Sequence, residues 1–314
     1  MAALKWSVLK SGDIVDVVAP GSGSQPENTQ KALKYPSSLG LVPRLPEASF
    51  ERTHPFHSNT DLERLNLLKK AFFSKDSSAV WCLRGGYGSL RLIPSLLKLK
   101  KPKKTKLMIG YSDITSLHLF VNQKWKWPSL HGPLLDGVRR EDLDELQAVL
   151  FGRKKTVQEK LVPINDFASR MKKKKTSLTG GNLTVLAAQA GTPLSLRSKG
   201  KIVVLEDTGE RGYRIDRMLE QLRQARSFEG AVAIVFGDFI LGNEASGRDL
   251  TQVAIERFSL ESKIPCFMGI RMGHGESNRP WFFNTEATVQ GGTQPQLIVQ
   301  SGVLELMPLS LSKS

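Results

Sequence analysis

A serine at position 112 lies where an enzyme could place a nucleophile. Leu107, Met108 and Ile109 form a short apolar run typical of a buried parallel strand, and a helical pattern begins at Asp113. Ser112 therefore lies between the end of a strand and the first turn of a helix, whose N–H groups could stabilise an anion. The alternative is that Ser112 only caps this helix, with Asp113 as a second capping candidate.

A serine nucleophile needs a base, and the chain has five histidines. His274 lies between two glycines in the segment Arg271–Gly275, and glycines allow a loop to approach another domain closely. His274 is therefore a candidate base, with a surface histidine in a flexible turn as the alternative. His131, at the end of a predicted strand, is a second candidate. The others are less suited: His118 lies in the helix of the nucleophile and is expected to point away, and His54 and His57 lie in a proline-containing loop.

A histidine base also needs an acidic partner that fixes its tautomer and stabilises the imidazolium. The candidates follow the apolar run Ile202–Leu205, and they are Glu206, Asp207 and Glu210. Spacing alone does not choose among the three, whose alternative role is helix capping or pairing with nearby arginines. The order serine, acid, histidine is that of α/β-hydrolases, but Ile114 replaces the second glycine of the G-x-S-x-G elbow. A serine hydrolase of another fold fits better.

The first half of the chain repeats the pattern strand, turn, helix about five times. This pattern implies a parallel sheet with helices on both faces, and ligands bind such sheets at the carboxyl edge. Four turns are expected to share this edge: Ala19–Gly23, Arg84–Gly88, Gly110–Asp113 and His131–Pro133. The predicted strands are Ile14–Ala19, Leu41–Leu45, Ala79–Leu83, Leu107–Ile109 and Ser129–Leu130. The predicted helices are Glu27–Tyr35, Asp61–Phe73, one that ends near Leu97, one that Asp113 opens, and Glu141–Leu150.

The pattern changes in the second half. Residues 156–177 are basic and have no clear period, so we predict a linker between an N-terminal domain, 1–155, and a C-terminal domain, 178–314. The fold class is α/β: a parallel-sheet N-terminal domain with the nucleophile, and a smaller mixed α/β domain with more β-structure that carries the acid and the base. Helices are expected at Thr179–Ala190, Ile215–Ala225 and Leu250–Phe258, and strands at Ile202–Leu205, Ala231–Phe236, Ala287–Val289 and Gln296–Val299.

The charge of the chain is unusual. Its 314 residues include 45 Lys plus Arg and 30 Asp plus Glu, a formal net charge of +15. Much of the excess lies in two clusters, Lys98–Lys106 and Lys172–Lys175. Neither cluster is interleaved with aromatic residues, and no nucleic-acid-binding signature accompanies them. We interpret them as solvated loops and predict no nucleic-acid partner, with an accessory anion surface as the alternative.

Composition also indicates the compartment. No apolar run approaches the roughly 20 residues of a membrane span, and the N-terminus lacks the features of a signal peptide, so we predict a cytoplasmic protein without a membrane partner. Cys82 and Cys266 lie far apart in apolar segments, which indicates buried thiols in a reducing compartment. No metal-ligand spacing is visible, and we expect neither a metal nor a cofactor.

Seven short motifs occur along the chain in one order. They are Val18-Ala19-Pro20, Arg84–Gly88, Gly110–Asp113, His131-Gly132-Pro133, Gly181-Asn182-Leu183, Leu205-Glu206-Asp207 with Tyr213–Arg217, and Gly273-His274-Gly275. Together they resemble the LD-carboxypeptidase family, the muramoyltetrapeptide carboxypeptidases of serine peptidase family S66. The resemblance extends from about Gly12 to Val289, which is nearly the whole chain.

The resemblance implies site residues as well as a fold. The triad maps onto Ser112, Glu206 and His274, and the oxyanion hole onto the N–H groups of Asp113 and Gly86. The resemblance thereby selects Glu206 among the three acids and leaves Glu210 a supporting role. A carboxypeptidase must also bind the free carboxylate of its substrate, for which Arg84 and backbone N–H groups such as that of Gly85 are the candidates.

The resemblance also implies an activity. Such proteins remove the terminal D-alanine from cytoplasmic murein tetrapeptides during cell-wall recycling, need no cofactor and usually form homodimers. The chain is accordingly expected to be a serine L,D-carboxypeptidase with a murein tetrapeptide substrate. It departs from the family pattern at Gly21, where serine is usual, and at Trp281–Thr285, which lacks the usual Pro-Leu-Gly sequence. Neither departure involves the triad.

Two other functions stay open. The microcin C resistance branch of the same family hydrolyses acyl-sulfamoyl-adenylates and stacks the adenine on a tryptophan in a loop before the Gly-Gly-Asn motif. The corresponding stretch here, Val157–Thr179, has neither tryptophan nor tyrosine, which favours the carboxypeptidase. The other function is that of a non-catalytic protein whose basic surface binds nucleic acid or anionic wall fragments. The complete set of triad residues argues against it.

Overall fold

Two β-sheets organise the chain in a computed structural model that describes residues 6–50, 55–137 and 143–303. The strands are β1 (Ile14–Val18), β2 (Val42–Arg44), β3 (Ser77–Cys82), β4 (Leu107–Gly110), β5 (Ser129–His131), β6 (Thr156–Lys160), β7 (Val162–Pro163), β8 (Lys174–Asn182), β9 (Ile202–Thr208), β10 (Ala233–Ile240), β11 (Cys266–Met268), β12 (Trp281–Phe283), β13 (Glu286–Gln290) and β14 (Gln296–Gln300).

The helices connect these strands, and those predicted from Glu27, Asp61 and Leu250 begin within one residue of the predicted start. They are α1 (Pro26–Ser38), α2 (Asp61–Phe73), α3 (Ser89–Leu96), α4 (Thr115–Phe120), α5 (Leu143–Leu150), α6 (Asp166–Ser169), α7 (Leu183–Ala188), α8 (Gly212–Gln224) and α9 (Thr251–Glu261). Helix α2 starts at Asp61 because the Thr60 hydroxyl accepts a hydrogen bond from the Glu63 N–H at 3.2 Å. The predicted start of α5, Glu141, lies outside the described residues.

The first sheet confirms the predicted parallel architecture. Its order is β12-β5-β4-β3-β1-β2, and five of its six strands are parallel. Successive side chains of β3 point to opposite faces: Val80 and Cys82 pack with apolar residues of α2 and α3, whereas Ala79 and Trp81 pack with α1 and α5. Helices therefore cover both faces. Cys82 and Cys266 are both buried free thiols, as the sequence predicts.

The second sheet is mixed, which confirms the predicted fold class. Its order is β6-β14-β13-β8-β9-β10-β11-β7. The four central strands β8 to β11 are parallel, and the strands outside them pair antiparallel. The strands predicted at Ala287–Val289 and Gln296–Val299 are confirmed as β13 and β14.

Two predictions for the second half are wrong. Residues 156–177 are not a linker, because they form β6, β7, α6 and the start of β8. The helix predicted from Thr179 begins at Leu183, since 174–182 is a strand that pairs with β9 and β13. The lysines that begin β8 are exposed, so this strand shows no apolar alternation at its start. In addition, β12 returns to the first sheet and pairs with β5, across the predicted domain boundary.

The Gly-Gly-Asn motif at the end of β8 joins the two halves. A Cβ atom on Gly180 would overlap the carbonyl oxygen of Val204 in β9, and one on Gly181 would lie 2.5 Å from Oγ1 of Thr115 in α4. The Asn182 N–H donates a hydrogen bond to the same Thr115 oxygen at 3.0 Å. Both glycines have positive φ, 128° and 130°, which other residues rarely adopt. The motif therefore packs closely against β9 in its own sheet and against α4 of the first half.

Lys106, at the start of β4, is a buried cation. Its Nζ donates to the Ala71 carbonyl and the Ser77 hydroxyl, both at 2.5 Å, and lies 3.7 Å from Oδ2 of Asp16. Burial lowers the pKa of Lys106 from 10.5 to about 8. Between these values the unfolded chain binds more protons than the folded chain, so the contribution of Lys106 to the free energy of unfolding rises with pH in this range.

We expect the Lys106→Met variant to lose this pH dependence. Between about pH 7.5 and about pH 10, the free energy of unfolding of the wild type should rise relative to the variant by about 2 kcal/mol. Urea denaturation of both proteins at several pH values measures the difference, and groups that titrate in both proteins cancel. A difference that stays constant across the range would contradict the prediction.

Candidate active site

Ser112 follows β4 directly and has an unusual backbone. Its φ of 64° lies in the left-handed region, which a non-glycine residue adopts at a cost. A 3₁₀ turn, Ser112–Ile114, starts at this residue and continues into α4. The side chain is half-buried. A strained serine between a strand and a helix is the geometry of a nucleophile elbow, reached here without a second glycine.

The turns of the first sheet meet around Ser112, as predicted. A Cβ atom on Gly85 would lie 3.1 Å from Cβ and 3.4 Å from Oγ of Ser112. A Cβ atom on Gly21 would overlap the Gly85 carbonyl oxygen and lie 2.7 Å from Oδ2 of Asp113. Gly21 is therefore required in this chain, because any larger residue at that position would push the three turns apart.

The two amides predicted for the oxyanion hole lie on these turns. The Gly85 carbonyl accepts a hydrogen bond from the Ser22 N–H at 2.9 Å. Since C=O and N–H point in opposite directions in a trans peptide, the N–H of Gly86 points away from Ser22. Asp113 is the second residue of the helical segment, where the first amides have no partner within the helix. Its buried carboxylate accepts from the Ser89 N–H at 2.9 Å.

His274 contacts Glu206 in the structure. Its Nδ1 lies 2.8 Å from Oε2 of Glu206, a fully buried carboxylate in β9. The flanking glycines explain how the loop comes so close. A Cβ atom on Gly273 would lie 2.8 Å from Oε2 of Glu206. The N–H of Gly275 donates to Oδ2 of Asp238 at 3.2 Å, which anchors the other side of the loop.

The ring of Tyr111 connects this pair to the nucleophile. Its centroid lies 4.7 Å from that of His274 and 5.6 Å from that of His131. Because Tyr111 precedes Ser112, the imidazole of His274 packs directly against the neighbour of the predicted nucleophile. The structure thus pairs His274 with Glu206 and places its imidazole against Tyr111, the residue before Ser112.

Glu206 has a second imidazole beside it. Nε2 of His131 lies 3.9 Å from Oε1 of Glu206, and both groups are fully buried. Neither this oxygen nor either ring nitrogen of His131 has a hydrogen-bond partner within the described residues. Burial by itself raises the pKa of Glu206, but the two histidines more than offset it and lower the pKa below its ordinary value. Glu206 is therefore ionised.

The sequence did not predict that His131 lies beside Glu206, and it indicated His131 only as a second candidate base. A signal was present, because this residue ends a strand at the predicted shared edge. The contact with Glu206 depends on how the two sheets meet, which the strand pattern does not reveal. The other described histidines lie elsewhere: His118 is buried, bonds the Gly110 carbonyl and Ser129, and has a pKa that burial lowers to about 3, while His57 packs against Tyr87. His54 lies outside the described residues.

The other two candidate acids have different surroundings. Asp207 accepts hydrogen bonds from Asn182, Thr184 and Thr208, and so holds the start of α7. Burial and the neighbouring Glu206 raise its pKa to about 6. Glu210 lies 3.4 Å from Arg214 on the surface. Geometry therefore favours Glu206 as the partner of His274.

Arg84 lies next to Gly85, on one of the turns at the carboxyl edge of the first sheet. Its guanidinium is half-exposed and lies 3.4 Å from Oδ2 of Asp136, which also accepts from the Ser24 hydroxyl at 2.7 Å. The exposed side of Arg84 is open to a ligand. In residues 6–50, 55–137 and 143–303, no group of three or more His, Cys, Asp and Glu could hold a metal ion. None of the helices there is long and apolar enough to cross a membrane.

Comparison with known proteins places this geometry in a family. The model of the LD-carboxypeptidase N-terminal domain matches residues 15–132, and that of the C-terminal domain matches residues 175–289. The chain therefore belongs to the LD-carboxypeptidase family, serine peptidase family S66. It is an enzyme, a carboxypeptidase of the serine type.

Relatives and solved structures agree with this assignment. The chain is 40% identical over 284 residues to a putative carboxypeptidase of Rickettsia prowazekii, covering 88% of this chain and 86% of the relative. It is 30% identical over 292 residues to the murein tetrapeptide carboxypeptidase of Pseudomonas aeruginosa, covering 88% and 93%. The crystal structure of muramoyltetrapeptide carboxypeptidase from Oxalobacter formigenes has a TM-score of 0.79, 25% identity, and coverage of 91% and 98%.

The microcin C7 self-immunity protein shares the fold. The structure of the microcin C7 self-immunity protein in complex with aspartyl sulfamoyl adenosine has a TM-score of 0.77 and 16% identity, with coverage of 96% of this chain and 100% of the other. At this identity the likeness concerns the fold alone.

Proposed function

We propose that this enzyme is an L,D-carboxypeptidase that releases the terminal D-alanine from murein tetrapeptides. Ser112 is the nucleophile, His274 the general base and Glu206 the acid that orients it. The 2.8 Å contact between His274 and Glu206, beside a strained serine, is the observation that carries the proposal. A cytoplasmic location and a homodimer are part of the proposal and rest on the family resemblance.

In the proposed mechanism each proton has a defined path. Nδ1 of His274 donates to the ionised Glu206, so Nε2 is the nitrogen that takes the proton of Ser112. The Ser112 oxygen attacks the carbonyl carbon of the residue before D-alanine. His274 then protonates the leaving amine, and D-alanine departs. A water molecule, deprotonated by the same imidazole, hydrolyses the acyl-enzyme and regenerates Ser112.

The turns around Ser112 supply the oxyanion hole and the binding site for the substrate carboxylate. The N–H groups of Gly86 and Asp113 bind the oxyanion of the tetrahedral intermediate, in line with the direction that the Ser22 hydrogen bond gives the Gly85–Gly86 peptide. Arg84 and the backbone of Gly85 bind the carboxylate of D-alanine. A half-exposed guanidinium beside the nucleophile suits a terminal carboxylate, because its fork can bind both oxygens.

The test is to incubate the purified enzyme with muramoyl-tetrapeptide and follow the products by mass spectrometry. We expect loss of one alanine with the wild type and no loss with Ser112→Ala, whose fold is checked by circular dichroism. If the wild type leaves the tetrapeptide intact, or if Ser112→Ala retains near-normal turnover, the proposal fails.

The second candidate is hydrolysis of acyl-sulfamoyl-adenylates, which the shared fold of the microcin C7 self-immunity protein makes worth testing. An adenine-stacking tryptophan would lie in residues 157–179, which contain neither tryptophan nor tyrosine. These residues form strands of the second sheet and the short helix α6. The same mass-spectrometric assay with an aspartyl-sulfamoyl-adenosine substrate distinguishes the two activities. We expect no cleavage of this substrate.

A substitution at His131 tests how Glu206 is kept ionised. His131→Phe removes one of the two imidazoles that lower the pKa of Glu206, so this pKa should rise. The acid limb of the pH profile of kcat/KM should move to higher pH. We expect a loss of about tenfold near pH 5.5 and of less than about threefold near pH 8.

The matched control is His118→Phe, which changes another buried histidine of the first half that bonds Ser129 and Gly110 and not Glu206. It should leave the position of the acid limb unchanged. A loss in His131→Phe that is equal at every pH would show general distortion of the site, and would contradict the assigned role.

A further inference from the structure

The net charge of the chain is not spread along it. Residues 77–135 and 167–205 contain eighteen Lys and Arg and one acidic residue, the buried Asp113. The rest of the chain is close to neutral, since it holds 27 Lys and Arg and 29 Asp and Glu. The positive charge therefore belongs to two segments, one from each half, that are separated by more than thirty residues.

The fold brings these segments to one edge. In the first sheet β4 pairs with β5 in the register Met108↔Ser129. Because the two strands are parallel neighbours, the exposed lysines that precede β4, Lys103 and Lys104, and those that precede β5, Lys124 and Lys126, lie at the same edge of the sheet. Both groups lie at the amino ends of the strands.

The second sheet adds further cations to this edge. Lys126 and Arg197 lie close enough to Lys201, which precedes β9, to lower its pKa together with burial. The hydroxyl of Thr176 donates to the Gly200 carbonyl, which holds the start of β8, with its lysines, beside the start of β9. We call the exposed cations of Lys98–Lys104, Lys124–Lys126, Lys172–Lys175 and Arg197–Lys201 the basic edge. Within the basic edge, Lys175 pairs with an acid, and its Nζ lies 2.7 Å from Oε2 of Glu286.

In contrast to the expectation from the sequence, we propose that the basic edge binds the phosphate backbone of a double-stranded nucleic acid without reading its sequence. A row of lysines supplies point charges for phosphates, and phosphate contacts alone support non-specific binding. No exposed large apolar side chain lies in the four segments, and their aromatic residue, Trp125, is buried. The edge therefore lacks the stacking platform that single strands require and the apolar anchor that stable membrane binding adds to charge.

The basic edge is separate from the candidate active site. Ser112 follows the carboxyl end of β4 and the lysines precede its amino end, so the four-residue strand between them spans about 13 Å. Glu206 likewise lies in the carboxyl half of β9, whereas Lys201 precedes it. A duplex on this edge would leave the site open, and the proposal does not depend on the proposed peptidase activity.

The experiment measures fluorescence anisotropy of labelled duplexes of about 20 base pairs, one of DNA and one of RNA, over a range of salt concentrations. The edge variant changes six exposed lysines to glutamine: Lys98, Lys101, Lys103, Lys172, Lys173 and Lys174. The matched control changes six exposed cations elsewhere to glutamine: Lys10, Lys31, Lys34, Arg153, Lys160 and Lys263. Both variants have the same net charge.

We expect wild type to bind with a Kd in the micromolar range near 0.1 M salt, and the edge variant to bind at least about tenfold more weakly with a shallower salt slope. The control should stay within about twofold of wild type, and Ser112→Ala should bind like wild type. Preference for either duplex supports the proposal and identifies the nucleic acid. Equal weakening in both six-site variants would overturn it, as would binding only to vesicles with about one-third anionic lipid, or no binding.

Discussion

Replacing Glu206 with glutamine is expected to lower kcat for tetrapeptide hydrolysis by about 10⁴-fold. The amide keeps the size of the side chain but removes the charge that stabilises protonated His274 in a buried site. An amide can also present its NH₂ group to Nδ1, which would turn the imidazole to the wrong tautomer. Steady-state kinetics on muramoyl-tetrapeptide measure the loss, which should fall on kcat more than on KM because the charge acts in the transition state.

The control for this variant is Glu220→Gln, the same change at an exposed carboxylate of α8 that pairs with Arg223. It should stay within about twofold of wild type, since exposed ion pairs contribute little. Glu206→Gln must also be shown to fold, by circular dichroism and thermal unfolding. A folded Glu206→Gln enzyme with more than about one-tenth of wild-type kcat would remove Glu206 from the triad.

Replacing Gly180 with alanine is expected to prevent stable folding, with a loss of more than about 4 kcal/mol. Its Cβ atom would overlap the Val204 carbonyl, which is backbone and has no freedom to turn aside. The φ of 128° adds strain that alanine does not tolerate. Urea denaturation, or recovery in the soluble fraction where the protein does not fold, measures the effect.

Gly191→Ala is the matched control, because Gly191 also has positive φ, 82°, but no atom within 4 Å of an added Cβ. It should cost only about 1 kcal/mol, the backbone penalty alone. If the two variants are equally stable, the close contact between β8 and β9 does not require glycine at position 180.

Much of the first half follows from local patterns. The apolar run Leu107–Ile109 is fully buried, as a parallel strand requires. In the helix Asp61–Phe73 the apolar residues Leu68, Ala71 and Phe72 are buried, although Leu62 is exposed. The shared edge around Ser112 follows from strand direction alone. The triad residues were selected through the family resemblance, and the acid in particular was not chosen by spacing among Glu206, Asp207 and Glu210.

The second half shows where such patterns fail. The start of β8 consists of lysines whose backbone pairs with β13 while the side chains face solvent, so its strand character is absent from the hydropathy pattern. The return of Trp281–Phe283 to the first sheet is a long-range pairing that no local signal announces. Two further long-range features have no local signal: the proximity of His131 to Glu206, and the position of the two lysine clusters at one edge. Each depends on the contact between sheets.

The position of β12 in the sequence has a consequence for folding during synthesis. This strand is added to β5 only after the loop with His274 has been made, so the first sheet is completed after the segments that carry the serine, the acid and the histidine. We expect a nascent chain that ends before residue 281 to hold serine and acid without a positioned base.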